Sequence, residues 1–166
     1  MPDIFIGLGS NLDNPVAQLQ QAITALRAHP QIEVKQVSSF YQSIPMGPAD
    51  QPDYINAVAE LASELAPAEL LAALQQIENE QGRVRKQHWG ARTLDLDILL
   101  YGRQVINEPD LIVPHYGIAE RNFVLYPLQE LVDEDFTIPV HGRLKALLAA
   151  CSADGIRQLQ DKEISG

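Results

Sequence analysis

One run of eight residues, Leu94-Asp95-Leu96-Asp97-Ile98-Leu99-Leu100-Tyr101, constrains the fold of this chain more than any other. A strand turns successive side chains to opposite faces. Leu94, Leu96, Ile98 and Leu100 therefore share one face, and Asp95, Asp97, Leu99 and Tyr101 share the other. The two carboxylates then sit with α-carbons about 6.5–7 Å apart. Two like charges in an otherwise apolar stretch repel, and burial makes each costlier, so protons, arginines or a metal must offset them. Hard divalent ions such as Mg²⁺ take oxygen ligands, commonly one or two carboxylates plus substrate phosphates. An exposed strand face with a salt bridge to Arg92 would explain the same pair.

Other segments supply the order of elements. Residues 3–8 read as a strand, and Gly9-Ser10-Asn11 as a turn. Asn14 can cap a helix with Pro15 at its first position; Val16, Leu19, Ile23 and Leu26 follow helical spacing, and His29-Pro30 ends it. Residues 32–42 look extended. The stretch 44–52, with three prolines and a glycine, reads as a loop of limited flexibility. Residues 54–64 resume a strand. Pro67 opens a second helix with Leu70, Leu71, Leu74 and Ile77 on one stripe, and Gly82 closes it. After the loop 83–93 and the strand 94–101, residues 104–114 look extended. A helix is expected near 127–131 and a last one over 143–150. The order β-α-β-β-α-β predicts an α+β, ferredoxin-like split βαβ arrangement: an antiparallel sheet with two helices packed on one face, plus C-terminal additions. No linker or repeat divides residues 1–166, so one domain is expected.

The chain carries 22 acidic and 12 basic residues, a net charge of -10, which disfavours nucleic acid as a partner. Yet Arg83, Arg85, Lys86 and Arg92 fall within one short stretch. That run is either a solvated loop or a local anion site able to hold a small phosphate ligand. One cysteine, Cys151, allows no intrachain disulfide and no cysteine-based zinc site. No apolar run approaches membrane-spanning length, and the N-terminus lacks secretory character, so a cytoplasmic location is expected. A P-loop string is missing, and Gly7-Leu8-Gly9-Ser10-Asn11-Leu12 lacks the third glycine of a dinucleotide fingerprint. No nucleophile elbow is present, and His88, His115 and His141 are too scattered to indicate a metal site.

Trp89-Gly90 followed by Arg92-Thr93-Leu94-Asp95-Leu96-Asp97-Ile98-Leu99-Leu100 resembles the signature of the hydroxymethyl-dihydropterin pyrophosphokinase family. Further stretches resemble it in order: Gly9-Ser10-Asn11-Leu12, Ser38-Ser39-Phe40-Tyr41, Gly47-Pro48, Gln51 to Ala57, Glu78 to Arg85, Val113 to Tyr116, and Arg121 to Leu128. The likeness covers about residues 3–150. It implies an enzyme of folate biosynthesis that moves pyrophosphate from ATP to a pterin alcohol, with AMP leaving.

The resemblance also implies roles. Asp95 and Asp97 would bind two Mg²⁺ ions that bridge the ATP phosphates. Arg83 and Arg92 would neutralise phosphate charge during transfer, with Arg85 assisting. His115, Tyr116 and Arg121 would contact the β/γ end of ATP, with Gln75, Glu78 and Ile98 near the nucleotide. Tyr54 and Phe123 would sandwich the pterin ring, Asn56 would bond its edge, and backbone around Ser43, Ile44 and Met46 would read its remaining donors and acceptors. Trp89 would close over the site, bordering both substrates, and Asp95 would border the pterin alcohol. A monomer is the family expectation. Ala91 stands where proline is frequent, the loop 83–89 is one residue shorter than in some relatives, and Asp110 and Ile112 replace a basic and a hydroxyl residue.

Two other functions would suit the same element order. A non-catalytic ferredoxin-like nucleotide sensor would bind ATP without turnover and would not need the Asp95/Asp97 pair. An RNA-binding module is disfavoured by the acidic charge and by the lack of interleaved aromatic and basic residues on one strand.

Overall fold

The computed structural model describes residues 2–11, 14–43, 53–82 and 94–160. The elements run β1 (Asp3–Ser10), α1 (Pro15–Ala28), β2 (Glu33–Val37), β3 (Tyr41–Ser43), β4 (Tyr54–Ala62), α2 (Pro67–Gly82) and β5 (Asp95–Tyr101). Beyond them lie β6 (Ile106–Glu108), β7 (Leu111–Val113), α3 (Asn122–Gln129), β8 (Thr137–Ile138), β9 (Gly142–Arg143), α4 (Leu144–Ala150) and β10 (Ile156–Gln158). The main sheet has the order β10-β3-β4-β1-β5, with β2 also on β4, and its pairings are antiparallel. This is the α+β split βαβ arrangement expected from the element order.

Two apolar clusters sandwich the sheet. On one face Ile4, Ile6 and Leu8 of β1, Ala57, Ala59 and Leu61 of β4, and Leu96 and Ile98 of β5 pack with Leu19 and Leu26 of α1 and Leu70, Leu74 and Ile77 of α2. Fully burying each such leucine contributes about 1.5–3 kcal/mol. On the other face Phe5, Val58, Leu99 and Leu100 pack with Val124, Leu125 and Leu128 of α3 and Leu144 of α4. The two helices of the split βαβ unit thus share one face, as expected, and the C-terminal additions α3 and α4 cover the other.

Several local expectations are corrected. Gly9 and Ser10 continue β1 instead of forming a turn. Asn14 occupies the N-cap of α1 in a left-handed conformation (φ 63°), but its side chain makes no capping bond. The segment 32–42 is two strands divided at Ser38, whose hydroxyl accepts the Val58 N–H at 2.9 Å while its own N–H reaches the Val58 carbonyl. The third helix begins at Asn122 and carries Pro127 near its end, so its start precedes the expected one.

The largest correction falls in β5. Phe5 pairs with Leu100 but Ile6 with Ile98, leaving Leu99 as an extra residue. Such a bulge reverses the faces of the residues beyond it. Leu100 joins Leu99 on the α3 side, and Tyr101 crosses to the α1–α2 side, where its hydroxyl donates to the Leu65 carbonyl.

Val140, in the β8–β9 connection, has φ 72° and is 78% exposed. A β-branched residue pays a steric cost in that conformation and buries little here, whereas asparagine tolerates it. Val140→Asn is expected to stabilise the protein by about 0.5–1 kcal/mol, raising Tm by roughly 1–4 °C. A lower Tm in a thermal melt would contradict this.

Candidate active site

The strand register brings the expected residues onto one face. Tyr41 pairs with Asn56, Asn56 with Gly9, and Gly9 with Asp95. Directly opposed residues share a face, so these four form one row across four strands. The next row runs Val58–Gly7–Asp97, and Ser43 opposes Tyr54. Three adjacent strands, β4, β1 and β5, change character in the same direction along this face. β1 goes from Phe5 to Gly7 and Gly9, β4 from Val58 to Asn56 and Tyr54, and β5 from Leu99 to Asp97 and Asp95. One end of the face is the floor of the α3 core, and the other is a polar floor with a glycine trough.

Gly9 keeps that trough open. A Cβ there would lie 3.0 Å from Asn56 Nδ2, closer than ordinary van der Waals contact. At Gly7 the nearest group is Leu99 Cδ2 at 3.5 Å, which is an ordinary contact. Asn56 itself is buried and oriented, because its Oδ1 accepts the hydroxyl of buried Ser43 at 2.7 Å. Asp95 is half-buried, and the side chain of Asp97 is 51% exposed.

His115 approaches from the segment after β7. Its N–H donates to the Leu99 carbonyl, the extra residue of the bulge, at 3.0 Å. Its Nδ1 accepts the Gly117 N–H at 3.2 Å. This bond assigns the proton of the neutral ring to Nε2, which lies 4.0 Å from Asp97 Oδ2. Burial, followed by the nearby Arg121 charge, lowers the histidine pKa from its usual value. The Asp97 carboxylate pulls the other way, but at that distance, half in water, it does not offset them. The Tyr116 ring stacks on His115 with centroids 4.7 Å apart. Arg121 Nη2 donates to the Tyr116 hydroxyl at 3.3 Å, and its guanidinium carbon lies 5.3 Å from the Tyr116 ring and 5.7 Å from that of Phe123. Arg121 thus links the histidine corner to Phe123, a half-buried residue at the start of α3 on the same side of the sheet.

The remaining expected residues lie elsewhere. Glu78 of α2 accepts the Leu96 N–H through Oε2 at 2.7 Å, bracing the outer edge of β5. The Ile98 side chain is buried in the α1–α2 core, opposite the carboxylates, so only its main chain can meet a ligand. Gln75 is exposed and lines a groove of about 610 Å³ between α2 and the β6–β7 hairpin, which Asp110 also borders. Ile44, Met46, Arg83, Arg85, Trp89 and Arg92 lie outside the described residues. Among the described residues no group of three or more His, Cys, Asp or Glu side chains could hold a metal. None of the described helices is long and apolar enough to cross a membrane. Gly7 and Gly9 are parts of the site that sequence reasoning missed. Their spacing of two, the strand period, was the available signal.

Comparison with known proteins places the chain in a family. Residues 5–133 match the family model described as 7,8-dihydro-6-hydroxymethylpterin-pyrophosphokinase. A 2-amino-4-hydroxy-6-hydroxymethyldihydropteridine pyrophosphokinase of Pseudomonas aeruginosa is 51% identical over 94% of this chain and 96% of its own length. The protein of that name from Haemophilus influenzae is 53% identical over 81% of this chain and 84% of its own. Among solved structures, the HPPK-DHPS of Plasmodium falciparum shares the fold at TM-score 0.67 and 11% identity, covering 90% of this chain and 43% of that one. A family match over most of the chain and relatives at about half identity show that this chain belongs to the 7,8-dihydro-6-hydroxymethylpterin-pyrophosphokinase family.

Proposed function

We propose that this chain transfers pyrophosphate from ATP to 6-hydroxymethyl-7,8-dihydropterin, giving AMP and the pterin diphosphate, as a step of tetrahydrofolate biosynthesis. The observation that carries this reading is the single row Asn56–Gly9–Asp95. Neighbouring strands are spaced by about 4.8 Å, so an edge-reading amide and a carboxylate stand roughly 10 Å apart across a side-chain-free gap. A flat bicyclic ring anchored by its edge at Asn56 fits that gap and carries its hydroxymethyl arm toward Asp95. An amide offers both a donor and an acceptor, as a pterin edge requires, and Ser43 fixes which atom points outward. Tyr54 and Phe123 supply the aromatic surfaces for the ring.

The reaction is an in-line displacement. The hydroxymethyl oxygen bonds to the β-phosphorus, the bond from that phosphorus to the oxygen bridging it to the α-phosphorus breaks, and AMP leaves; the hydroxyl proton passes to water. Catalysis of such transfers is mainly positioning and charge stabilisation. Asp95 and Asp97, adjacent on one face and reached by water, are hard oxygen donors that would hold Mg²⁺ brought in with a triphosphate. When bound, Mg²⁺ would neutralise phosphate charge there. His115, through Nε2–H beside Asp97, and Arg121, through its guanidinium over the Tyr116 ring, offer donors for the outer phosphates. The main chain of Ile98 at the β5 edge and the groove bearing Gln75 suit the nucleoside end.

A sensor that binds ATP without turnover needs no pterin-edge reader in register with the carboxylates. AMP release from ATP and Mg²⁺, measured with and without the pterin alcohol, separates the two readings. Pterin-dependent AMP is expected, and ATP binding with no AMP would overturn the proposal.

A further inference from the structure

We propose that Glu130 and Tyr41 act together as positioning residues that set the width of the pterin slot between α3 and the sheet; this deepens, and rests on, the pyrophosphokinase reading. Glu130 is the C-cap residue of α3, at the opposite end of that helix from Phe123. An eight-residue helix is about 12 Å long and rigid on that scale, so holding one end fixes the angle of the other. The Glu130 carboxylate is exposed, yet it reaches the start of β3 with both oxygens. Oε1 accepts the Ser39 N–H at 2.8 Å, and Oε2 accepts the Tyr41 hydroxyl. Tyr41 is the member of the functional row directly opposite Asn56, and two residues on Ser43 donates to that same amide. One carboxylate therefore ties the helix that carries an aromatic wall to the strand that orients the edge-reading amide.

Other ties on α3 run elsewhere. Asn122 donates to the Ser152 and Asp154 carbonyls and Tyr126 to that of Cys151, all beyond α4. Gln36 reaches the Leu131 carbonyl from β2, away from the row. Burial, aided by Glu130, pushes the Tyr41 hydroxyl well above its usual range, so it remains a donor throughout the working pH range. Tyr41 buries its ring and spends its hydroxyl on Glu130, so its influence on substrate passes through Asn56 and Phe123.

Tyr41→Phe removes the hydroxyl and little else. It is expected to raise KM for the pterin alcohol about tenfold, the effect of a charged hydrogen bond's worth of misplacement. KM for ATP and kcat should stay within about twofold to threefold, because the carboxylate end of the row is untouched. Glu130→Ala should match it, Glu130→Gln should fall between, and the double variant should be no worse than either single, as expected for two residues acting as one unit. Loss of general stability would instead move both KM values, kcat and Tm together. That outcome, or pterin KM values within twofold of wild type, would overturn the inference while leaving the reaction intact. Wild-type protein that forms no pterin-dependent AMP would overturn the reaction itself and this inference with it.

Discussion

Asp97→Ala is expected to lower Mg²⁺-dependent kcat by about 10³-fold, the scale on which removing one preorganised charge-stabilising group acts. The fold should survive. The Asp97 side chain is half in water, its contact with His115 is at the limit of an ion pair, and an exposed substitution of this kind shifts stability by roughly 0.5 kcal/mol or less. Tm should therefore move by no more than about 2 °C. Removing one of two neighbouring like charges also relieves repulsion with Asp95, which works against any destabilisation. Asp97→Asn is the sharper control, since it keeps shape and hydrogen bonding but not charge. Steady-state AMP formation across a Mg²⁺ titration measures the effect. Turnover within tenfold of wild type in either variant would remove Asp97 from the metal assignment.

Gly9→Val should be nearly as damaging, by a different physical route. A Cβ at Gly9 already comes within 3.0 Å of Asn56 Nδ2, and the two further methyl groups of valine would fill the trough between Asn56 and Asp95. Misplacing a bound reactant by about 1 Å can cost on the order of 10²-fold, and a loss of that size in kcat/KM for the pterin alcohol is expected. Overpacking should add a stability loss of about 1–3 kcal/mol. KM for ATP should change much less. Gly7→Ala is the matched control, because its Cβ meets only Leu99 at an ordinary distance. If Gly9→Val binds and turns over the pterin alcohol within twofold of wild type, the row is not the substrate floor.

These two residues show what could be read without coordinates. Asp95 and Asp97 were legible because alternation is a local property, and two like charges in an apolar strand demand a partner whatever the fold. Gly9 was not, because glycine before Ser-Asn also has the chemistry of a turn, and only pairing with β4 and β5 keeps it extended. The faces of Leu100 and Tyr101 escape simple alternation for a related reason. A bulge belongs to a pair of strands, and the partner, β1, lies about ninety residues away in the chain. Helix α3 begins earlier than its local sequence predicts, because Pro127 reads as a start, whereas burial of Val124, Leu125 and Leu128 overrides that local preference.

From the residues alone came the order of strands and helices, the split βαβ architecture, the acidic pair and the family likeness. Each rests on periodicity or on short strings, which survive without knowledge of distant neighbours. Tertiary structure alone decided that Asn56, Gly9 and Asp95 form one row, that the extra residue Leu99 presents its carbonyl to His115, and that Glu130 joins α3 to Tyr41. Those are relations between segments far apart in the chain. Strand register and helix docking settle them, through the burial of two cores that no single segment contains.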